Sequence, residues 1–501
     1  MHDAILRIRQ GVASAQFAIA VGAVVCTGIA IYTAWYVSAG LFPNFPPSEN
    51  AYIDLGESFL QGQLALLEKP DPQLTVLPDP YDPAQRTAPY RWDASYYEGK
   101  YYLYWGPVPA LFFAVVEGLT QSRPPGALLI VLCYISLSIL LFMILFRLWR
   151  KYFPLAPGFS LGLCVLVGLV NLPMLFILGR PIVYETSSIA GQFFLILGLL
   201  GWIHYTTSSE KPGWLVLTGV SWGLAIGSRY SLLLSIIVYL AFALTQIKWE
   251  INNPYGWRRV SFLLVPFGLC MAGLGIYNFA RFGNPLETGL SYQLSLPEAH
   301  SEPYSLSYFL SNLYVYLFYP MTTSESFPFI LSTLSAKSRF DEVSMGLFPS
   351  VPGAWLLLLM IPLVTARKKR VDTDQADSTH SPLKSLNSML LITGITQFLL
   401  LTVYFFAAMR YIADFYLQLT LAVWILVWQA DKFLQQSKLL RASFWVAVTG
   451  FVFWTIFIGF FGSFDIPGQA MRISNPTLYS SLESFWNSRH LEITSLLKLG
   501  P

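Results

Sequence analysis

Apolar runs of about 20 residues recur along this chain, and that is the length a helix needs to cross the hydrocarbon core of a bilayer. Only 12% of the 501 residues are charged and 54% are hydrophobic, whereas soluble domains carry roughly 25% charged residues. This combination predicts an all-helical, polytopic membrane protein in contact with membrane lipids. The net charge of +3 is too small to indicate nucleic acid as a partner.

About 11 of these runs are expected to cross the membrane. The first follows Arg7 and Arg9, which places the N-terminus in the cytoplasm by the positive-inside rule. It lacks a small-residue cleavage site and exceeds the apolar core of a signal peptide, so we expect it to remain as a span. The expected spans are residues 12–42, 125–148, 157–178, 187–205, 214–228, 230–247, 260–279, 349–365, 386–408, 412–429 and 444–461.

The apolar run at residues 101–119 is interpreted differently, as a helix that lies on or dips into the outer membrane interface. If it also crossed, the basic residues Arg147, Arg150 and Lys151 would lie outside, which the positive-inside rule disfavours. The Tyr- and Trp-rich segment at its start is typical of an interfacial belt. The first outer loop is therefore expected to extend over residues 42–124.

Carboxylates are concentrated in this first outer loop, close to the membrane. We single out Glu49, Asp54, Glu57 and Asp93. Glu49 and Glu57 share one helical face, while Asp93 lies in an aromatic run. A carboxylate in this position could deprotonate an acceptor hydroxyl as a general base. A solvated loop residue is the alternative for each of them, and the residues leave open which one is the base.

Arginines form a second set, at the outer ends of the expected spans, where the charge rule disfavours them. They are Arg180, Arg229, Arg281 and Arg410. Arginine stays charged and binds phosphate through parallel hydrogen bonds, so four of them at one membrane level indicate an anion site. The alternative for each is that it reaches lipid headgroups or pairs with a local carboxylate, Glu185 or Asp414. Arg229 also separates two short spans, an arrangement tolerated where helices line a cavity.

Signatures of other chemistry do not accompany these residues. The five histidines are scattered, the four cysteines lie in apolar runs without CxxC spacing, and no phosphate-binding glycine loop or GxSxG occurs. Nucleotide-dependent chemistry on the inner face therefore has no support. The second outer loop, residues 281–348, is rich in Tyr, Phe and Ser, which suits stacking on sugar rings and a membrane-interface belt equally.

Five segments carry a likeness to a known group of membrane enzymes. They are ENAYIDLGESFLQGQLAL, YYEGKYYLYWGPVPALFF, GLAIGSRYS, YNFARFGNPLETGLSYQL and MRYIADFYLQL. The first, from Glu49, is similar to an acidic pair followed by Tyr and a helix ending in Leu-x-x-Gly-x-Leu. In this order the segments resemble the GT-C superfamily of membrane glycosyltransferases. The likeness is closest to the family 39 type, the protein O-mannosyltransferases and aminoarabinose transferases, and to uncharacterised bacterial relatives.

The resemblance implies transfer of a sugar from a polyprenyl-phosphate-linked donor to a glycan, lipid or protein acceptor. It implies that a first-loop acid is the base, and Glu49 matches best because the family's leading Asp-Glu pair is Ser48-Glu49 or Glu49-Asn50 here. It implies no required cofactor, although a divalent metal, Mg or Mn, is possible because some members use one. The basic groups assigned to the lipid phosphate are Arg410 with Tyr411, Arg229, Arg180, Arg281 and Lys100.

The expected spans and loops divide the chain into three parts. Residues 1–279 form a catalytic module that includes the outer loop 42–124, residues 280–348 form the second outer loop, and residues 349–501 form further spans and an outer tail. A bacterial inner membrane with the active site on the periplasmic face is the expected location.

The sequence is also compatible with two other functions. A transporter or flippase for lipid-linked sugars predicts internal repeats and mid-membrane charges, whereas no repeat is visible and the charges cluster at one face. A non-catalytic assembly subunit fits the incomplete acidic pair.

Overall fold

The computed structural model describes residues 2–86, 88–207, 211–248, 256–295, 302–331, 333–334, 343–359 and 381–498. Within these residues, eight helices are long and apolar enough to cross a membrane, or nine if one bent pair counts as a single span. The expectation of an all-helical, polytopic membrane protein is confirmed.

Helices occupy most of the expected runs, but the helix over the expected span 214–228 is too short to be one of the eight candidates. The strands are short. The helices are α1 (His2–Val37), α2 (Ala51–Leu60), α3 (Pro72–Val76), α4 (Val108–Thr120), α5 (Ala127–Tyr152), α6 (Phe159–Leu169), α7 (Leu172–Gly179), α8 (Val183–Thr207), α9 (Gly213–Ser228), α10 (Leu233–Lys248), α11 (Gly256–Phe282), α12 (Phe309–Phe318), α13 (Leu347–Ser350), α14 (Ser381–Thr402), α15 (Met409–Leu434), α16 (Lys438–Gly462), α17 (Ala470–Ser474) and α18 (Pro476–Lys498). Three antiparallel pairs are formed by β1 (Ser95–Tyr97) with β2 (Lys100–Tyr102), β3 (Thr322–Thr323) with β4 (Ile330–Leu331), and β5 (Thr333–Leu334) with β6 (Val343–Ser344). Of the expected span at residues 349–365, the part from residue 360 lies outside the described residues.

The run expected as one span at residues 157–178 is instead broken into α6 and α7, which are bent by 57°. Asn171 causes the break, because its Oδ1 accepts a hydrogen bond from the backbone N of Met174 (3.1 Å) and so caps α7. Pro173 follows in the first turn, where a missing N–H is not needed. Gly459 allows α16 to reach this break, since a Cβ there would lie 2.8 Å from Cα of Asn171.

Helix α4 starts later than the expected helix at residues 101–119. Its first part is used differently, because Tyr101 and Tyr102 belong to the β1–β2 hairpin. The remaining 13 residues of α4 span about 20 Å at 1.5 Å per residue. That is too short for the roughly 30 Å hydrocarbon core, so α4 is not a span. It packs against α2 through Gly56, where a Cβ would lie 3.0 Å from the backbone O of Ala110.

Helix α15 is the centre of the bundle. It is the most enclosed of the candidate spans, with 89% of its apolar stretch buried. The indoles of Trp424 and Trp428 are fully buried along it. Because its neighbours surround it, α15 carries the polar groups at its first turns, Arg410 and Asp414, into the interior.

The two ends of the bundle are distinguished by their contacts. At one end, Arg441 pairs with Asp431 at the end of α15 (2.6 Å). At the other, Asn475 of the tail donates from Nδ2 to the backbone O of Ala39, just before the first loop (2.9 Å). The tail that follows α16 therefore lies on the same side of the bundle as the first loop.

These contacts predict the sidedness of labelling. With the four native cysteines replaced by Ala, Glu98→Cys in the hairpin and Ser481→Cys in α18 should react with a membrane-impermeant maleimide from the same face. Arg150→Cys, at the end of α5, should react from the opposite face. Labelling of sealed vesicles of both orientations measures this, and reaction of Glu98→Cys and Arg150→Cys from one face would contradict the arrangement.

Candidate functional site

The first turn of α8 is the meeting point of the first loop and the break between α9 and α10. Asn50, the N-cap of α2, donates from Nδ2 to Thr186 Oγ1 (2.9 Å). Arg229, at the break, donates from Nη1 to Ser187 Oγ (3.2 Å). A helix N-terminus carries a partial positive charge, which favours negative groups near it. The fully buried Glu185 lies in the same turn.

Arg229 points into the bundle because its backbone is extended between α9 and the short 3-10 turn Tyr230–Leu232 (φ −148°, ψ 103°). Its Nε donates to Oδ2 of Asp414 on α15 (2.7 Å). Asp414 is fully buried and the Arg229 side chain is 7% exposed. Pairing with a carboxylate, the alternative considered from the sequence, is therefore realised for Arg229.

Arg410 lies in a cage of three aromatic rings. Its Cζ is 4.5 Å from the ring centre of Tyr184, 5.2 Å from that of Tyr411 and 5.4 Å from that of Phe406. The ring faces carry negative potential and stabilise a buried cation. Arg229 lies 5.1 Å from the same Tyr411 ring. The structure thus brings Arg229, Arg410 and Tyr411 together.

Arg281 is occupied by contacts that join α11 to the hairpin. Its Nη1 donates to the backbone O of Leu103 (2.7 Å), and its Nη2 donates to Asn278 Oδ1 (2.7 Å). The guanidinium also covers the ring of Tyr277 at 3.9 Å. These contacts make Arg281 an anchor of the first loop on α11.

The other two basic candidates lie at the margin. Arg180 ends α7, is half-buried, and has its Cζ 5.6 Å from the ring centre of Phe176. Its neighbour Pro181 accepts a hydrogen bond from Asn50 Nδ2 (3.4 Å), so Arg180 stands beside the first loop. Lys100 is exposed at the start of β2.

Two of the four candidate acids belong to an ion-pair network on the outside of the loop. Asp54 pairs with Arg91 (2.5 Å) and with Arg123 (2.5 Å). Arg123 also reaches Glu57 (3.1 Å), and Arg91 reaches Glu68 (2.6 Å). The network ties α2 to the segments before the hairpin and after α4, so Asp54 and Glu57 are engaged in holding the loop.

Glu49 differs from these two acids. It is exposed, and within the described part of the chain no hydrogen bond or ion pair involves its carboxylate. The next residue, Asn50, is fixed by its contacts to α8 and caps α2 by accepting from the backbone N of Tyr52 at Oδ1 (3.1 Å). The carboxylate of Glu49 is therefore exposed to solvent, while the backbone next to it is held at the start of α8 by Asn50.

Asp93 joins the first outer loop to the second. Its Oδ1 accepts hydrogen bonds from the Tyr104 hydroxyl (3.3 Å) and from Gln293 Nε2 (3.1 Å). Its backbone N donates to Ser295 Oγ (2.7 Å). Burial, and then the Asp93 carboxylate, raise the pKa of Tyr104 well above its ordinary value, so the hydroxyl keeps its proton. Asp93 also has a left-handed backbone (φ 59°), a strained state that costs of order 1–3 kcal/mol and clusters at functional sites.

Stacked rings connect Asp93 with Arg410. Tyr104, which donates to Asp93, stacks on Trp105 with ring centres 3.8 Å apart. Trp105 contacts Tyr184 edge-on (5.3 Å), and Tyr184 lies under Arg410. Asp93 and the caged cation are therefore parts of one continuous site.

The sequence identified the charged residues of this site but not the groups that orient them. Tyr104, Trp105, Tyr184, Ser187 and Gln293 were not singled out. The spacing of one turn favours Asp414 as a local partner of Arg410, whereas in the structure the ion pair joins Asp414 to Arg229. Among the described residues, no group of three or more His, Cys, Asp or Glu is placed to hold a metal ion.

Comparison with known proteins gives likenesses of fold. No family model and no curated protein sequence matches. The oligosaccharyltransferase of Archaeoglobus fulgidus in the apo form is 11% identical, with a TM-score of 0.44 over 94% of this chain and 59% of that one. ArnT from Cupriavidus metallidurans bound to undecaprenyl phosphate is 12% identical, with a TM-score of 0.43 over 91% of this chain and 78% of that one.

The A. fulgidus oligosaccharyltransferase AglB, in complex with an inhibitory peptide and a dolichol-phosphate, is 13% identical, with a TM-score of 0.43 over 88% of this chain and 55% of that one. The chain thus spans little more than half the length of the two archaeal enzymes. All three TM-scores are below 0.5.

The loop network predicts unequal effects of its two arginines on stability. Arg91→Ala should lower the free energy of unfolding by about 1–3 kcal/mol, because charge-assisted hydrogen bonds are lost at a side chain that is 20% exposed. Arg123→Ala should lower it by about 0–1 kcal/mol, because that side chain is 55% exposed. Thermal unfolding of the purified variants measures the difference, and equal effects would contradict the ranking.

Proposed function

We propose that this chain is a GT-C type membrane glycosyltransferase, which moves a sugar from a polyprenyl-phosphate-linked donor to an acceptor hydroxyl. The carrying observation is the pair of buried arginines, Arg229 and Arg410, which both contact the start of α8. The first loop is joined to the same turn through Asn50. In this proposal, the phosphate of the lipid-linked donor reaches the two arginines from the membrane. A carboxylate of the first loop faces the acceptor. The sequence resemblance to GT-C enzymes supports the same function.

Arg229 and Arg410 are proposed to bind the lipid phosphate. Buried, oriented cations stabilise the charge that develops as a phosphate leaves, and they do so more strongly away from water. Arg180 at the margin is proposed as a further contact with the phosphate. Arg281 and Lys100 are assigned lesser parts, because the first is occupied by the hairpin and the second is exposed.

Glu49 is proposed as the general base. The acceptor hydroxyl gives its proton to the Glu49 carboxylate, and its oxygen attacks the anomeric carbon of the sugar. The bond from that carbon to the phosphate oxygen breaks, and the lipid phosphate leaves with the electron pair, which inverts the anomeric centre. Asp93 is the second candidate, because hydrogen bonds from Tyr104 and Gln293 orient it within the same site.

The location follows the same proposal. The first loop is placed on the periplasmic face of a bacterial inner membrane, with the N-terminus in the cytoplasm. A flippase for lipid-linked sugars would move the donor without cleaving it. An assembly subunit would bind the donor without turnover.

Carboxamide substitutions of the four acids test the base. In proteoliposomes supplied with undecaprenyl-phosphate-linked sugars and a cell-envelope extract as acceptor, Glu49→Gln should lower the rate of undecaprenyl phosphate release by about 100- to 10,000-fold. Asp54→Asn and Glu57→Gln should keep most of the activity of the folded protein, because their partners hold the loop. Loss with Asp93→Asn but not with Glu49→Gln would transfer the role to Asp93. Full activity of all four variants would exclude a first-loop base.

Binding of the donor's lipid phosphate is tested separately from turnover. Arg410→Gln should weaken binding of undecaprenyl phosphate by about tenfold or more, because charge-assisted hydrogen bonds to the phosphate are lost. The affinity for the uncharged undecaprenol should stay unchanged. Arg150→Gln, an exposed arginine at the opposite end of α5, is the matched control. Equal weakening for both lipids would show that Arg410 supports the fold and does not bind phosphate.

A further inference from the structure

The ion pair between Arg229 and Asp414 uses only one edge of the arginine. Asp414 accepts from Nε through Oδ2 alone (2.7 Å), and Ser187 Oγ accepts one hydrogen bond from Nη1 (3.2 Å). A guanidinium has five N–H donors. The two N–H groups of Nη2 and the second N–H group of Nη1 have no hydrogen-bond acceptor within the described residues. The side chain is thus fixed at one edge and available at the other.

Asp414 is itself fixed. It lies on α15, the most buried candidate span, and Ser231 donates from Oγ to the same Oδ2 (3.3 Å). Ser231 belongs to the 3-10 turn directly after Arg229. The carboxylate therefore holds both the arginine and the backbone turn that follows it, and so sets the direction in which the guanidinium points.

A buried ion pair is a poor source of net stability. Desolvation of two charges offsets most of their attraction, and well-packed apolar residues are often as stable or more stable. Ionisable residues inside a membrane domain are expensive and mark functional sites. The monodentate geometry, which leaves donors unused, is also unlike a pair optimised for stability alone, since Arg and carboxylate commonly meet through two parallel hydrogen bonds.

We propose that Asp414 is a positioning residue, which holds Arg229 so that its Nη2 edge is presented to the phosphate of the lipid donor. This inference rests on the proposed function. Ser187 is the second support of the same guanidinium. Pairing with a carboxylate and binding of phosphate are then compatible, because they use different nitrogens of Arg229.

Two substitutions at one position separate positioning from charge. In Asp414→Asn, the amide oxygen can still accept from Nε, so the guanidinium keeps its direction while the neutralising charge is lost. Asp414→Ala removes both. We expect undecaprenyl phosphate to bind to Asp414→Asn as tightly as to the wild type, or more tightly, and to Asp414→Ala at least tenfold more weakly. Ser187→Ala, a milder change, should weaken binding a few-fold.

The binding measurement uses the full-length protein in lipid nanodiscs, with undecaprenyl phosphate as the probe and undecaprenol as the uncharged reference. Asp431 provides a matched control, because it pairs with Arg441 (2.6 Å) and accepts from Trp445 Nε1 (2.7 Å) at the opposite end of α15. Asp431→Ala should lower the thermal stability without changing the affinity for undecaprenyl phosphate.

The possible results are distinct. Tighter binding by Asp414→Ala would show that Asp414 competes with phosphate for Arg229, and would overturn the inference. Unchanged affinity with lowered stability, as in Asp431→Ala, would also overturn it by reducing the pair to a structural contact. If Arg229→Gln weakens phosphate binding and Asp414→Ala does not, the proposed function stands and this inference fails. A wild-type protein that does not distinguish undecaprenyl phosphate from undecaprenol would overturn both.

Discussion

The buried ion pair between Arg229 and Asp414 joins the two parts of the bundle on which the site depends. One partner lies at the break between α9 and α10, and the other lies on the central helix α15. Removing one member of such a pair leaves an uncompensated buried charge, at a cost of about 3–5 kcal/mol. The ion pair therefore fixes the position of the break relative to the central helix. The hydrogen bond from Arg229 to Ser187 also fixes the first turn of α8.

Ion pairs hold the first outer loop together on its outer side, and aromatic contacts hold it on its inner side. Asp54, Arg91 and Arg123 join its segments at the surface. On the inner side, Tyr104 and Trp105 connect Asp93 to the ring of Tyr184. This division explains why acids of one loop, similar in the sequence, have different surroundings. Asp54 and Glu57 maintain the shape of the loop, whereas Asp93 is connected to Arg410 through stacked rings and Glu49 is exposed next to Asn50, which contacts α8.

Much of the fold could be predicted because a bilayer imposes a simple length requirement on apolar runs. The break at Arg229 was also visible, since a charged residue between two short runs cannot lie in hydrocarbon without a partner. The break at Asn171 is not predictable from the apolar run alone, because the cap is defined only by the contact of its Oδ1 with the N–H of Met174. Tyr101 and Tyr102 continue the apolar run of α4 in the sequence, and only the contacts across the turn show that they belong to a hairpin.

The amino-acid sequence by itself determined that this protein crosses a membrane many times and which charged residues gather at one end, because hydropathy and charge bias are properties of local composition. It also gave four candidate acids and four outer arginines, without deciding which acid is the base. Only the tertiary structure decided that Asp414 belongs to Arg229 and that Arg410 lies among aromatic rings. The physical reason is that hydrogen bonds and ion pairs join residues far apart in the chain. Because these interactions act only over about 3 Å, the packing of the helices decides which arginine pairs with which carboxylate.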